Sequence, residues 1–145
     1  MGFSLGGLTS CNAVWVRPDL FDAAGCNLPS IWHPQQNSDK PDVDGTYFLS
    51  AMATYPVPTA KLYVSYGTSE GRDMGGSRNA PGSAVLIVQK VRAAGMHDLV
   101  FEERGGYPHN AAVGMMWSEG FWRSLEAVVP YESRPAVRLM WAIYI

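Results

Sequence analysis

The side chains of this chain that could move a proton between reacting groups at neutral pH are three histidines and a set of carboxylates. His33, His97 and His109 lie far apart, each in or beside a turn. A general base or a metal site needs such residues to converge with partners. The adjacent pairs His97-Asp98 and His109-Asn110 do not place two ligands on one face of a strand. The expectation is therefore of ordinary surface histidines. Glu102 and Glu103 suggest glycosidase chemistry, but neighbours on a strand point to opposite faces and cannot serve as acid and nucleophile of one site. Glu102 could pair across strands with Glu119 or Glu126, and nothing in the pattern selects that pairing. Acid–base catalysis would need His97 or His109 to meet Glu102 or Asp98 in a cleft.

The remaining chemistry-bearing groups are weaker. Asp39, Asp42, Asp44 and Gly45 resemble part of a calcium loop, without its twelve-residue ligand spacing or terminal Glu, and read as a solvated turn. Gly71-Arg72-Asp73-Met74-Gly75-Gly76 resembles a phosphate loop but lacks the Gly-Lys-Ser/Thr ending. No Gly-x-Ser-x-Gly, Walker or dinucleotide fingerprint is assigned. Residues 1–10 are read as an extended Gly/Ser arm whose start fails the myristoylation pattern, because position 6 is Gly. Cys11 and Cys26 fit no zinc motif, which needs four ligands. They are expected as reduced, semi-buried thiols, with a single bridge pinning the N-terminal segment as the alternative in an oxidising compartment. No catalytic residue, cofactor or metal is expected.

Aromatic residues are the other signal: the chain has 5 tryptophans and 7 tyrosines. Trp and Tyr anchor interfaces and stack on sugars. Trp117 and Trp122 flank the Ser118-Glu119-Gly120 turn and are the candidates for a ligand platform.

The elements that would position these groups read as β. Strands are expected at 13–17, 46–55, 61–66, 84–91, 98–103, 112–117, 121–129 and 136–145, with a helical turn at 19–24. Residues 46–55 and 61–66 would form a hairpin around Pro56-Val57-Pro58. The 121–129 segment also fits a helix stripe of Phe121, Leu125 and Val128, and its surroundings favour strand. Residues 27–45 and 67–83 read as long loops. About eight short strands with turns between them suggest an all-β fold, an antiparallel sandwich or jelly-roll-like barrel in one domain over 1–145, with 1–12 as an arm.

Composition bounds the function. The formal net charge is −2, with 17% charged residues. The lysines, Lys40, Lys61 and Lys90, do not cluster, which argues against nucleic-acid binding. No stretch is long and apolar enough for a spanning helix, and the start lacks the basic region of a signal peptide. Leu139 to Ile145 is apolar to the last residue, so it needs cover from a sheet or a neighbouring subunit.

Three readings follow. The first is a non-enzymatic structural subunit of a homo-oligomer, with a trimer as the candidate symmetry: a virion capsid, cement, fibre or tail component. Its contacts would use Phe3, Leu5, Leu8, Trp32, Tyr107, Trp141, Ile143 and Ile145. It would be found in a virion or other extracellular assembly, and otherwise in the cytoplasm. The second is a carbohydrate- or receptor-binding sandwich with a glycan ligand. The third is a small hydrolase or isomerase on a β-barrel.

Overall fold

The computed structural model describes residues 1–31, 33, 46–70, 80–110, 121 and 123. Its elements run β1 (Gly2–Phe3), α1 (Leu5–Val16), β2 (Ala23–Asn27), α2 (Tyr47–Thr54), β3 (Lys61–Gly67), α3 (Ala80–Ala93) and β4 (Leu99–Arg104). The four strands form one sheet in the order β1-β2-β3-β4, and each neighbouring pair is parallel. This is an α/β architecture, and it corrects the expected all-β antiparallel sandwich or jelly roll.

Crossovers of one hand that always step in the same direction lay their helices on one face of a sheet. The core has that form. Leu8, Val14 and Trp15 of α1, Phe48 and Ala51 of α2, and Ile87, Val88 and Val91 of α3 pack in one cluster with Ala24, Cys26, Leu62 and Val64 of the sheet. A smaller cluster on the opposite face joins Ala23, Tyr63 and Phe121, with Met1 and Val100 against it.

The departures from expectation each have a local reason. Residues 84–91 are apolar and branched, yet their buried positions within α3 are Ala84, Ile87, Val88 and Val91, a helical stripe. Residues 46–55 contain α2, which Thr46 caps by accepting a hydrogen bond from Leu49 N–H. The expected hairpin with 61–66 is therefore a helix-to-strand crossover. Residues 13–17 hold the last turn of α1, stopped by Pro18, which disfavours helix at the residue before it.

The stretch expected as a helical turn, 19–24, leads into β2. That strand is Ala-Ala-Gly-Cys-Asn, poor in β-formers but buried at all five positions. A parallel strand covered on both faces is chosen by fit. A Cβ on Gly25 would stand 2.9 Å from the Met1 side chain and 3.0 Å from the Phe121 ring. Phe121 and Arg123 are helical, against the strand expected at 121–129. The strands expected at 112–117 and 136–145, including the apolar C-terminus, lie outside the described residues.

Cys11 of α1 and Cys26 of β2 form a disulfide with Cα atoms 6.0 Å apart, the bridged alternative rather than two thiols. Both cysteines are fully buried. The bridge ties α1 to the neighbouring strand one helical turn or two beyond the helix start.

Candidate active site

β1 ends at Phe3 and α1 begins at Leu5, so one residue, Ser4, makes the whole strand-to-helix turn. Its backbone sits at φ 56°, ψ −122°. Non-glycine residues rarely hold such angles, at a cost of roughly 1–3 kcal/mol, and only where the surroundings enforce them. Here Ser4 N–H donates to the Asn27 carbonyl at 3.1 Å, and the Ser4 carbonyl accepts from Leu8 N–H and Ser30 N–H, both at 3.0 Å. The turn also requires Gly2, because a Cβ there would overlap the Gly6 carbonyl.

Gly2-Phe3-Ser4-Leu5-Gly6 is thus a Gly-x-Ser-x-Gly pentapeptide in strand–turn–helix context, where the motif presents a serine hydroxyl as nucleophile. This corrects the reading of residues 1–10 as an arm and the failure to assign that motif. The first N–H groups of α1 follow directly. They have no acceptor within the helix and lie at the positive end of its dipole.

Two loops complete the site. Glu70 follows β3 and His109 follows β4, so both stand beyond the carboxyl ends of parallel strands, where open α/β sheets bind ligands. His109 Nε2 lies 2.9 Å from Ser4 Oγ. His109 Nδ1 lies 3.0 Å from Glu70 Oε2. The imidazole is 8% exposed and the carboxylate 2%, so the pair is held away from bulk solvent. The second carboxylate oxygen of Glu70 accepts from Gly67 N–H at 2.6 Å, which fixes the rotamer.

The loops are laced together. Gly106 N–H donates to the Thr68 hydroxyl at 2.7 Å, and Ser69 N–H to the Tyr107 carbonyl at 3.1 Å. Glycine at 67 is needed because a Cβ there would overlap that same Tyr107 carbonyl. The Phe3 ring packs on His109 with centroids 4.8 Å apart.

Proton positions follow from the acceptors. With Glu70 as a carboxylate it accepts from Nδ1–H, and in that tautomer of the neutral imidazole Nε2 is the acceptor. Ser4 Oγ–H then donates to Nε2. A hydroxyl, a base and an orienting carboxylate stand in line, in the chain order Ser, Glu, His.

Of the described His, Asp and Glu residues singled out from sequence, only His109 enters this cluster. Its partners are Ser4 and Glu70, not Glu102 or Asp98. His97 and Asp98 are exposed at the start of β4, the end of the sheet away from Ser4. His33 packs on Tyr47 with ring centroids 5.3 Å apart.

Glu102 and Glu103 face opposite sides of the sheet. Glu102 accepts from the Tyr63 hydroxyl and pairs with Arg104, and Glu103 accepts from the Tyr66 hydroxyl. Burial first, and then the hydrogen bonds to these carboxylates, push both phenols well above their ordinary range.

Among the residues expected at contacts, Leu8 is core and Phe3 packs on the His109 ring. Leu5 and Tyr107 are exposed, 51% and 36%, next to Ser4 and close to His109 in sequence. Trp32, Trp141, Ile143 and Ile145, the platform residues Trp117 and Trp122, the Asp39, Asp42 and Asp44 cluster, residues 71–76, Glu119 and Glu126 all lie outside the described residues. Ser4 and Glu70 are the members that sequence reasoning misses. The pentapeptide around Ser4 is a sufficient signal for the first. Nothing local marks Glu70.

Among the described residues no group of three or more His, Cys, Asp or Glu side chains could hold a metal ion. Among them, too, no helix is long and apolar enough to cross a membrane.

No protein-family model matches the chain, and no curated protein matches it. Among solved structures it is similar to the siderophore hydrolase EstB from Aspergillus nidulans, with a TM-score of 0.60 and 21% identity. The match covers 90% of this chain and 48% of that one, so the chain spans about half the length of the structure it matches. The likeness supports the α/β fold with its all-parallel sheet. It overturns the β-sandwich and jelly-roll assignment, and with it the reading as a virion structural subunit that rested on a sandwich.

Proposed function

We propose that this chain hydrolyses carboxylic esters through an acyl-enzyme, with Ser4 as nucleophile, His109 as general base and Glu70 as the residue that orients and charges the base. The observation that carries this is the continuous relay from Ser4 Oγ to His109 Nε2 at 2.9 Å and from Nδ1 to Glu70 at 3.0 Å, built from three separate segments on a strained serine turn. The expectation of a non-enzymatic protein gives way to this reading.

In the first half-reaction the Ser4 Oγ–H proton passes to His109 Nε2 as Oγ bonds to the ester carbonyl carbon. The carbonyl electron pair moves onto oxygen. Donors aimed at that developing charge are commonly the largest catalytic contribution. The Leu5 N–H, on the residue after the nucleophile, would be one of them. Collapse expels the alcohol, which takes the proton from His109. Water then attacks the acyl-enzyme with His109 as base, and the acid leaves as Ser4 regains its proton. Glu70 stays ionised throughout and stabilises the imidazolium.

Leu5, next to Ser4 in sequence, and Tyr107, two residues before His109, are exposed apolar side chains, which favours esters with an apolar acyl or alcohol group. The neighbour's description as a siderophore hydrolase is compatible with hydrolysis on this fold.

The test is turnover of p-nitrophenyl acetate and butyrate by the chain and by its Ser4→Ala and His109→Ala variants, with circular dichroism to verify folding. Turnover that falls by about 10³-fold or more in both variants is the expected result. Equal turnover in the parent and in folded Ser4→Ala would refute the assignment.

A further inference from the structure

Ser4 Oγ has a second neighbour that the triad does not use. The hydroxyl of Ser30 lies 3.1 Å from it. Ser30 is 4% exposed, and its N–H also donates to the Ser4 carbonyl at 3.0 Å, so the two residues are clamped at both backbone and side chain. We infer that Ser30 is a further catalytic residue of the proposed reaction, donating a hydrogen bond to the nucleophilic oxygen. This inference rests on the triad reading above.

The direction of the bond follows from proton counting. Ser4 Oγ carries one hydrogen, which goes to the bare Nε2 of His109. The Ser30 hydroxyl must therefore donate to a lone pair of Ser4 Oγ. As the Ser4 proton leaves, charge develops on Oγ and this bond becomes charge-assisted, which strengthens it. When the acyl-enzyme breaks down, the same donor meets Oγ as the departing oxygen. No covalent bond to Ser30 is made, and its proton stays on its own oxygen.

The local fold is built to hold Ser30 there. Leu28, fully buried, sits at φ 43°, a conformation that a bulky side chain adopts only under constraint. It turns the chain sharply after β2, with Leu28 N–H held by the Ser65 carbonyl at 2.9 Å. On the helix side, Gly7 lets the turn close: a Cβ there would stand 2.9 Å from the Asn27 carbonyl and 3.1 Å from the Pro29 Cα. A strained leucine and a side-chain-free helix face thus bring one small hydroxyl onto the reacting atom.

Two measurements test this, and they fail separately. The first is ester turnover by Ser30→Ala and Ser30→Thr. Loss of a hydrogen bond to a charged group predicts a roughly tenfold to hundredfold fall in kcat/KM for Ser30→Ala, with recovery in Ser30→Thr, which keeps the hydroxyl. The second needs no turnover. In a Ser4→Cys background the thiolate is titrated by its ultraviolet absorbance with and without Ser30→Ala. A donor to the charged atom lowers that pKa, so Ser30→Ala should raise it by about one unit. A purely structural Ser30 would not move it. An unchanged thiol titration overturns the inference whatever happens to turnover, and so does unchanged turnover in Ser30→Ala while Ser4→Ala is inactive. An inert parent chain would refute the esterase reading itself, and the thiol titration would still decide on Ser30.

Discussion

Replacing Glu70 by Gln tests the relay with little change of shape. In the parent, one carboxylate oxygen accepts from Gly67 N–H at 2.6 Å and the other faces His109 Nδ1 at 3.0 Å. A glutamine at this position can keep the first bond through its carbonyl. Its amide then turns N–H donors towards Nδ1, which is itself a donor in the working tautomer. The imidazole relieves that clash by moving its proton to Nε2, where it can no longer accept from Ser4. It also loses the charge that stabilises imidazolium. The expected loss in kcat is on the order of 10³–10⁴, or about 4–5.5 kcal/mol of transition-state stabilisation, with KM little changed. Glu70→Ala is a poorer probe, because it orphans the buried Gly67 N–H and adds a folding penalty of about 1–3 kcal/mol. The assay is initial-rate hydrolysis of a p-nitrophenyl ester, with thermal melts of both proteins. A folded E70Q within about threefold of the parent kcat would show that Glu70 does not set the tautomer of His109, and the triad would reduce to a dyad.

The Cys11–Cys26 bridge closes a 15-residue separation, for which the loop-entropy model gives about 3 kcal/mol. The Cys11→Ala/Cys26→Ala chain should lose about that much in urea unfolding, and an unchanged midpoint would argue against a formed bridge. The raised phenol of Tyr63 predicts alkaline sensitivity. The folded state holds that proton more tightly than the unfolded state, so its contribution is intact below the ordinary tyrosine pKa of about 10 and is lost as pH rises beyond it. Melting temperature should fall more steeply above about pH 10 for the parent than for Tyr63→Phe, and parallel curves would contradict the assignment.

Legibility is uneven for physical reasons. β3 and β4 can be read from sequence because Lys61 to Gly67 and Leu99 to Arg104 carry branched and aromatic residues. Their parallel pairing cannot, since both directions leave the same composition. α3 misleads because Val85-Leu86-Ile87-Val88 is as branched as a strand, while the information lies in the spacing of Ala84, Ile87, Val88 and Val91. β2 is hidden by its small residues, selected for fit between two layers. In the site, His109 is visible as a residue type but not as a partner, because convergence across 105 positions is a property of the fold. Ser4 is legible: two glycines spaced around a serine, with apolar residues between, specify a turn that few other sequences tolerate. Reading that stretch by composition alone, as an arm, discards the spacing.

Activation of the Ser4 hydroxyl by His109 is the claim on which the rest depends. Its most direct test is reaction of the chain with a fluorophosphonate, followed by intact-mass measurement and peptide mapping of the adduct. The expected result is one adduct per chain on Ser4, absent in Ser4→Ala and formed far more slowly in His109→Ala. A folded chain that stays unlabelled, or one labelled equally at another residue, would contradict it.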